Sequence, residues 1–311
     1  MKLKSINSIL AKSVAVLAAC ASLNATAGTA PAPAPAPEPS SLFDSIGATL
    51  DVAYDSRYYF RGLWFADNII TTALGVSVPL VGGGQEDGGS LTLGFGAAYI
   101  STVQTPFGNP VSNSAFDYSE IDLWTNLVYD AGFAKFGVQY QYYMYPDTYA
   151  GSFNGVGNGA NDPEFGITGA GEVGFTVAIP LGAANIYAGY YHDFRIAGQY
   201  LQLGADYTFA VNDWLSIVPS VQTGYGFDYY TGNNNAFSQT AGALTGNNLQ
   251  PLGPTSGFTH LLVSVAAPIK VTKSATLTPY VAWNHSFDLR TALNLTEHNE
   301  VFWGAKLSLA F

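Results

Sequence analysis

The sequence predicts an all-β fold: a transmembrane antiparallel β-barrel of about 12 strands, with both chain ends on the periplasmic side. Three observations carry that prediction. Apolar and polar residues alternate with period two through many segments, as in Val301, Trp303, Ala305, Leu307, Leu309 and Phe311 against Glu300, Gly304, Lys306, Ser308 and Ala310. Such alternation suits a sheet with lipid on one side and water on the other, and only a closed barrel leaves no unpaired backbone edge in hydrocarbon. Charged residues make up only 11% of the chain while Gly, Tyr and Phe number 34, 20 and 19, against roughly a quarter charged in ordinary soluble domains. Beyond the first 27 residues no run of about 18 apolar residues is present, which excludes a helical span.

The N-terminus reads as a secretory signal peptide over residues 1–27. Lys2, Lys4 and Lys12 precede a short apolar stretch, Val14 to Ala21, and Ala25-Thr26-Ala27 offers a small-residue cleavage site. Leu17-Ala18-Ala19-Cys20 also resembles a lipobox, in which Cys20 is acylated. Cleavage after Ala27 leaves no cysteine, and with it neither disulfides nor thiol catalysis. It also removes three lysines and no acids, leaving 8 Lys+Arg against 22 Asp+Glu, a net charge of −14. Nucleic acid is therefore excluded as a partner.

Residues 28–47, with Ala-Pro repeated from Ala30 to Pro37, read as a polyproline-type periplasmic tether or an unstructured tail. The barrel is expected over residues 48–311. Its alternating segments run approximately 48–61, 69–81, 90–103, 117–129, 133–145, 166–180, 185–195, 199–210, 214–228, 257–269, 275–288 and 299–311. Each is near the 9–11 residues, or somewhat more, that a tilted crossing needs. An even count returns both ends to the same side, so the short connections at 130–132, 181–184, 211–213 and 271–274 are expected beside the termini. The long ones at 104–116, 146–165 and 229–256 fall at the opposite, outer end. Gly82 to Gly89 is long for a periplasmic turn, and Ala197-Gly198 short for an outer loop.

The first strand sets the register. Leu50, Val52, Tyr54, Tyr58 and Phe60 point one way and Asp51, Asp55, Arg57 and Arg61 the other. Each charge facing lipid would cost up to about 2–4 kcal/mol, so the charged face lines the lumen. The same test places Glu120, Asp122, Lys135, Glu172, Asp193, Arg195, Asp206, Asp228, Asp288, Glu300 and Lys306 inside. Acids exceed bases there, which implies cation preference in a water-filled pore, while pairing of the charges would instead hold the lumen shut. Tyr58, Tyr129, Tyr142 and Trp303 are expected in interfacial girdles.

Asp55-Ser56-Arg57-Tyr58-Tyr59-Phe60-Arg61-Gly62 resembles the Ser-Asp-Tyr-x-Phe-Arg-Gly stretch near the start of the TorF-type porin family. The match covers some fifteen residues, with Arg61 and Gly62 best aligned. It implies an outer-membrane barrel of channel activity and brings no catalytic residue. The terminal Phe311 likewise resembles the signal read by the outer-membrane barrel-insertion machinery.

Enzymatic chemistry fits poorly. A lipid hydrolase built on a strand needs a His and a Ser on one face, as in His-x-Ser. Asn284-His285-Ser286 places them on opposite faces. Glu120 and Asp122 form a same-face acid pair, but His192 falls on the lipid side, while His260 falls in the lumen. The four histidines lack metal-ligand spacing, and Gly155, Gly157 and Gly159 precede no helix and form no phosphate cradle. The chain is thus expected to be no enzyme and to need no metal or cofactor. It is expected in the outer membrane of a Gram-negative bacterium, passing small hydrophilic solutes by diffusion. A closed barrel acting through its outer loops, and a lipid-modifying hydrolase, are the alternatives.

Overall fold

The structure, a computed structural model, describes residues 46–81, 89–103, 119–144, 169–194, 197–229, 256–287 and 299–311. The expected signal peptide, the expected tether as far as residue 45, Arg195, Asp288, His298, the glycines at 155–159 and most of the long connections lie outside these residues, while Gly47, the last residue of the expected tether, already begins the first strand. Fourteen strands are described: β1 (Gly47–Phe60), β2 (Leu63–Val81), β3 (Ser90–Thr102), β4 (Ser119–Asp130), β5 (Lys135–Met144), β6 (Ala170–Leu181) and β7 (Ala184–Asp193) form the first half. They are followed by β8 (Gly198–Tyr207), β9 (Phe209–Ala210), β10 (Ser216–Phe227), β11 (Ser256–Ala266), β12 (Ile269–Lys270), β13 (Ala275–Ser286) and β14 (Asn299–Ala310). The short β9 continues β8 along β10, and β12 continues β11 along β13, so the described residues make twelve crossings. Neighbours pair antiparallel around the whole circuit, and β1 with β14 and β11 with β13 close it. This is the predicted barrel, its crossings within a few residues of those expected except at one place, the start of β2.

The wall is inside-out relative to a soluble protein. Leu74, Phe95, Phe175, Leu203, Val301 and Trp303 are exposed on the outside, while Lys135, Glu172 and Lys306 are buried within. Pairing makes that division cooperative, because a slip of one residue would turn every charge into lipid. In β14, for example, Glu300, Phe302, Gly304 and Lys306 face in while Val301, Trp303 and Leu307 face out.

Tight turns gather at the end that carries the termini. Gly132 and Gly182 take φ of +82° and +70° there, and the Asn212 side chain accepts the amides of Trp214 and Leu215 at 3.0 and 2.8 Å. The β1 and β14 edges are zipped to the last residue, since Phe311 donates to the Ala48 carbonyl at 2.9 Å and Ala48 returns the bond at 3.3 Å. Inside the wall, bulky rings lie over glycines of the adjoining strands. Trp124 covers Gly96, where an added Cβ would sit 2.6 Å from the indole Cε2. Gly96→Val is expected to lower stability by about 1–3 kcal/mol, the usual scale of overpacking, as a reduced urea midpoint for the refolded barrel.

Candidate functional site

The first hairpin does not stay in the wall. Pairing of β1 with β14 stops at Asp55 with Gly304, and pairing of β2 with β3 stops at Ile69 with Thr102. Beyond those points the two strands pair only with each other, through Arg57 with Asp67 and Tyr58 with Ala66 to Phe60 with Leu63. Asn68 at φ +52° bends the chain where it leaves the wall, and an irregularity follows at Tyr58/Tyr59. Backbone groups released by the departure are served locally: the Trp303 amide donates to Ser56 Oγ at 3.0 Å, and the Val103 amide to the Asn68 carbonyl at 2.6 Å. A connection was expected over 62–68; instead β2 begins at Leu63 and a two-residue turn, Arg61-Gly62, joins the strands.

Both turn residues have positive φ, +51° at Arg61 and +87° at Gly62, as a two-residue hairpin matching the strand twist requires. Gly62 meets a second constraint. A Cβ there would lie 2.7 Å from His260 Cβ and 2.9 Å from the Thr259 carbonyl, so the turn backbone rests directly on β11. Ser286 of β13 donates to the Gly62 carbonyl at 2.7 Å. The tip of a hairpin rooted between β14 and β3 thus touches β11 and β13.

Arg61 reaches β6. Its two terminal nitrogens donate to the two carboxylate oxygens of Glu172 at 2.6 and 2.7 Å, a bidentate pair with both side chains almost wholly buried. The Tyr229 hydroxyl accepts a further bond from the guanidinium, and Tyr143 donates to Glu172 at 3.4 Å. Aromatic rings enclose the guanidinium carbon: Tyr200 at 4.4 Å, Phe60 and Tyr191 at 4.7 Å and Tyr229 at 5.1 Å from their centroids. Glycines seat two of these rings, since a Cβ at Gly174 would stand 2.6 Å from Tyr191 Cδ1 and one at Gly224 would strike Tyr200. Desolvating a charge this completely is offset only by paired hydrogen bonds and ring quadrupoles of this kind.

The other predicted lumenal charges fall into pairs or onto neutral donors. Arg57 approaches Glu300 at 3.0 Å and Asp67 at 3.7 Å, Lys135 approaches Asp130 at 3.3 Å, and Lys306 approaches Asp51 at 3.9 Å. Glu120 accepts from Tyr58 at 3.1 Å, Asp122 from Gln141 and Asp206 from Asn185 at 3.3 Å, and Asp55 from Tyr280. Asp193 is buried at the end of β7. Corrections are needed at three positions. Tyr58 is buried against Ala66, Ile69 and Ile100 and Phe60 packs on Tyr143, so neither faces lipid, because the hairpin carrying them has turned into the lumen. Asp228 lies past the end of β10 and is exposed, since the strand stops at Phe227 and the chain turns at φ +48°.

No arrangement for hydrolysis is assembled among the described residues. Ser286 bonds inward to Gly62, whereas His285 lies outside, stacked on Trp283 and joined to Asn299 at 2.8 Å. His192 contacts Gln199 and Phe194, and His260 is buried beside Thr259 at 2.9 Å. Tyr229 and the glycines under the rings belong to the Arg61 cluster and carry no charge by which residue-type reasoning finds them.

No family model and no curated protein matches the chain. Among solved structures it is similar to an outer membrane channel from Pseudomonas putida F1, at 10% identity and TM-score 0.42 over 86% of this chain and 94% of that one. It is also similar to the KdgM porin, at 10% identity and TM-score 0.41 over 85% and 99%. Outer membrane phospholipase A from Escherichia coli is similar at 12% identity and TM-score 0.41 over 84% and 89%. These are likenesses between barrels of unrelated sequence.

Proposed function

We propose that the protein is a porin-like channel of the bacterial outer membrane, passing small hydrophilic solutes by diffusion and preferring cations. The observation that carries this reading is a charged, acid-rich interior enclosed by an apolar outer wall. Asp55, Glu120, Asp122 and Asp206 add to the acids that pair with Arg57, Arg61, Lys135 and Lys306, so acids outnumber bases along the described lining, and such a lining favours cations. The resemblance of residues 55–62 to the TorF-type porins supports the same reading. In this state the first hairpin narrows the outer part of the lumen, so conduction varies with its position.

A second reading, a closed barrel acting through its outer loops, is favoured by one observation, the hairpin bridging from one wall to the opposite one. Single-channel recording of the refolded mature protein in a planar bilayer separates the two. Discrete steps, with a reversal potential of cationic sign in a salt gradient, are expected. Charge reversal by Asp122→Lys and by Arg61→Glu is expected to shift that potential. Unchanged selectivity in both variants removes the assignment of these residues to the pore, and a folded barrel that stays silent favours the second reading.

A further inference from the structure

The cage around Arg61 has the composition of a ligand site rather than of a structural ion pair. Its wall-borne members are Glu172 on β6, Tyr191 on β7, Tyr200 on β8, Tyr229 beyond β10 and Tyr143 on β5; Phe60 belongs to the hairpin. A single carboxylate would suffice to anchor a hairpin. Here four side chains from separate elements converge on one guanidinium while Tyr143 braces Glu172, with rings in contact around it: Tyr191 with Tyr200 at 6.2 Å and Tyr200 with Tyr229 at 5.5 Å. Tyr191 and Tyr200 are seated on glycines of the wall, so the wall itself carries this part of the geometry and the hairpin only fills it.

We infer that this cage is a binding site for solutes bearing a guanidinium group, and that Arg61 occupies it as a built-in stand-in for such a solute. The chemistry selects guanidinium over a simple ammonium. Glu172 presents two oxygens to two nitrogens at 2.6 and 2.7 Å, a planar fork that an ammonium meets at only one point. The ring faces add an attraction that a hydrated sodium ion does not gain. The hairpin that delivers Arg61 has no ladder pairing with β14 or β3 beyond Asp55 and Ile69 and is held to them by side-chain contacts such as Arg57 with Glu300, so it can leave without breaking the strand pairing that closes the barrel. Its tip lies at the end of the barrel bearing the long outer connections, the side from which a solute arrives. The inference rests on the channel reading for the solute's route and on the cage alone for its recognition. A solute that displaces Arg61 both enters its site and widens its path.

The test is Arg61→Gly, which keeps the positive φ of the turn while emptying the cage. Methylguanidinium binding to the folded variant is measured by calorimetry in detergent, with tetramethylammonium as comparison, and block of conductance is recorded in bilayers. Arg61→Gly is expected to bind methylguanidinium at least about tenfold more tightly than tetramethylammonium. That preference is expected to vanish in Arg61→Gly/Glu172→Gln, a loss on the scale of one charge-assisted hydrogen-bond pair. Equal binding of the two cations, or none, overturns the inference. Binding with the expected preference in a barrel that never conducts supports the cage and removes the channel reading instead. Should Arg61→Gly fail to fold, refolding is repeated with millimolar methylguanidinium: a restored yield supports the cage, and an unchanged yield overturns it.

Discussion

Gly62→Val is expected to expel the first hairpin from the lumen and to raise single-channel conductance. The substitution fails twice in the folded-in state. A β-branched side chain at φ +87° costs about 1–2 kcal/mol, and its Cβ would meet His260 Cβ at 2.7 Å and the Thr259 carbonyl at 2.9 Å. Overpacking of that kind adds about 1–3 kcal/mol. Together these shift the balance toward the swung-out hairpin by roughly 30-fold or more, since each 1.4 kcal/mol is tenfold. The barrel wall should survive, because the hairpin beyond Asp55 and Ile69 contributes no ladder pairing to β14 or β3. Chymotrypsin supplies an independent readout, as Tyr58, Tyr59 and Phe60 are sheltered in wild type and exposed once the hairpin leaves. A Gly62→Val barrel that keeps wild-type conductance and stays uncleaved there would show that the hairpin is not a gate.

How far the sequence reveals all this differs between wall and lumen. Period-two alternation with charges on one face is a local signal, and it located the twelve crossings because lipid penalises each misplaced charge separately. Arg61 and Asp55 were assigned inward on that ground alone. The hairpin was missed because its pairing is detached from the wall, and nothing local says which neighbour a strand abandons. A trace remains: Tyr58-Tyr59-Phe60 is an unbroken aromatic triplet just before the two-residue turn. Loss of alternation there marks a segment covered on both faces, which a lipid-facing wall is not. The partner of Arg61 was beyond reach. Glu172 is 111 residues away and Tyr229 is 168, and among the lumenal acids only the closed topology selects Glu172.

Glu172→Gln is the sharpest test of how the hairpin is held, and is expected to destabilise the folded-in state by about 3–5 kcal/mol, the cost of leaving a buried charge without its counterion. The neutral amide keeps one acceptor and roughly the same volume, so packing against Tyr143 and Tyr229 is preserved and the loss is electrostatic. Wild type and variant would be compared by urea unfolding from lipid vesicles together with the chymotrypsin assay, since the released hairpin and the unfolded barrel are distinct outcomes. Removing the charge as well, in Arg61→Gly/Glu172→Gln, eliminates the orphaned group, so the double variant should lose less than the two single losses combined. That coupling is the quantity a double-mutant cycle isolates. Additive losses would mean that the guanidinium and the carboxylate do not depend on one another, and the hairpin would then be held by its aromatic residues and by the Gly62 contacts with β11 and β13.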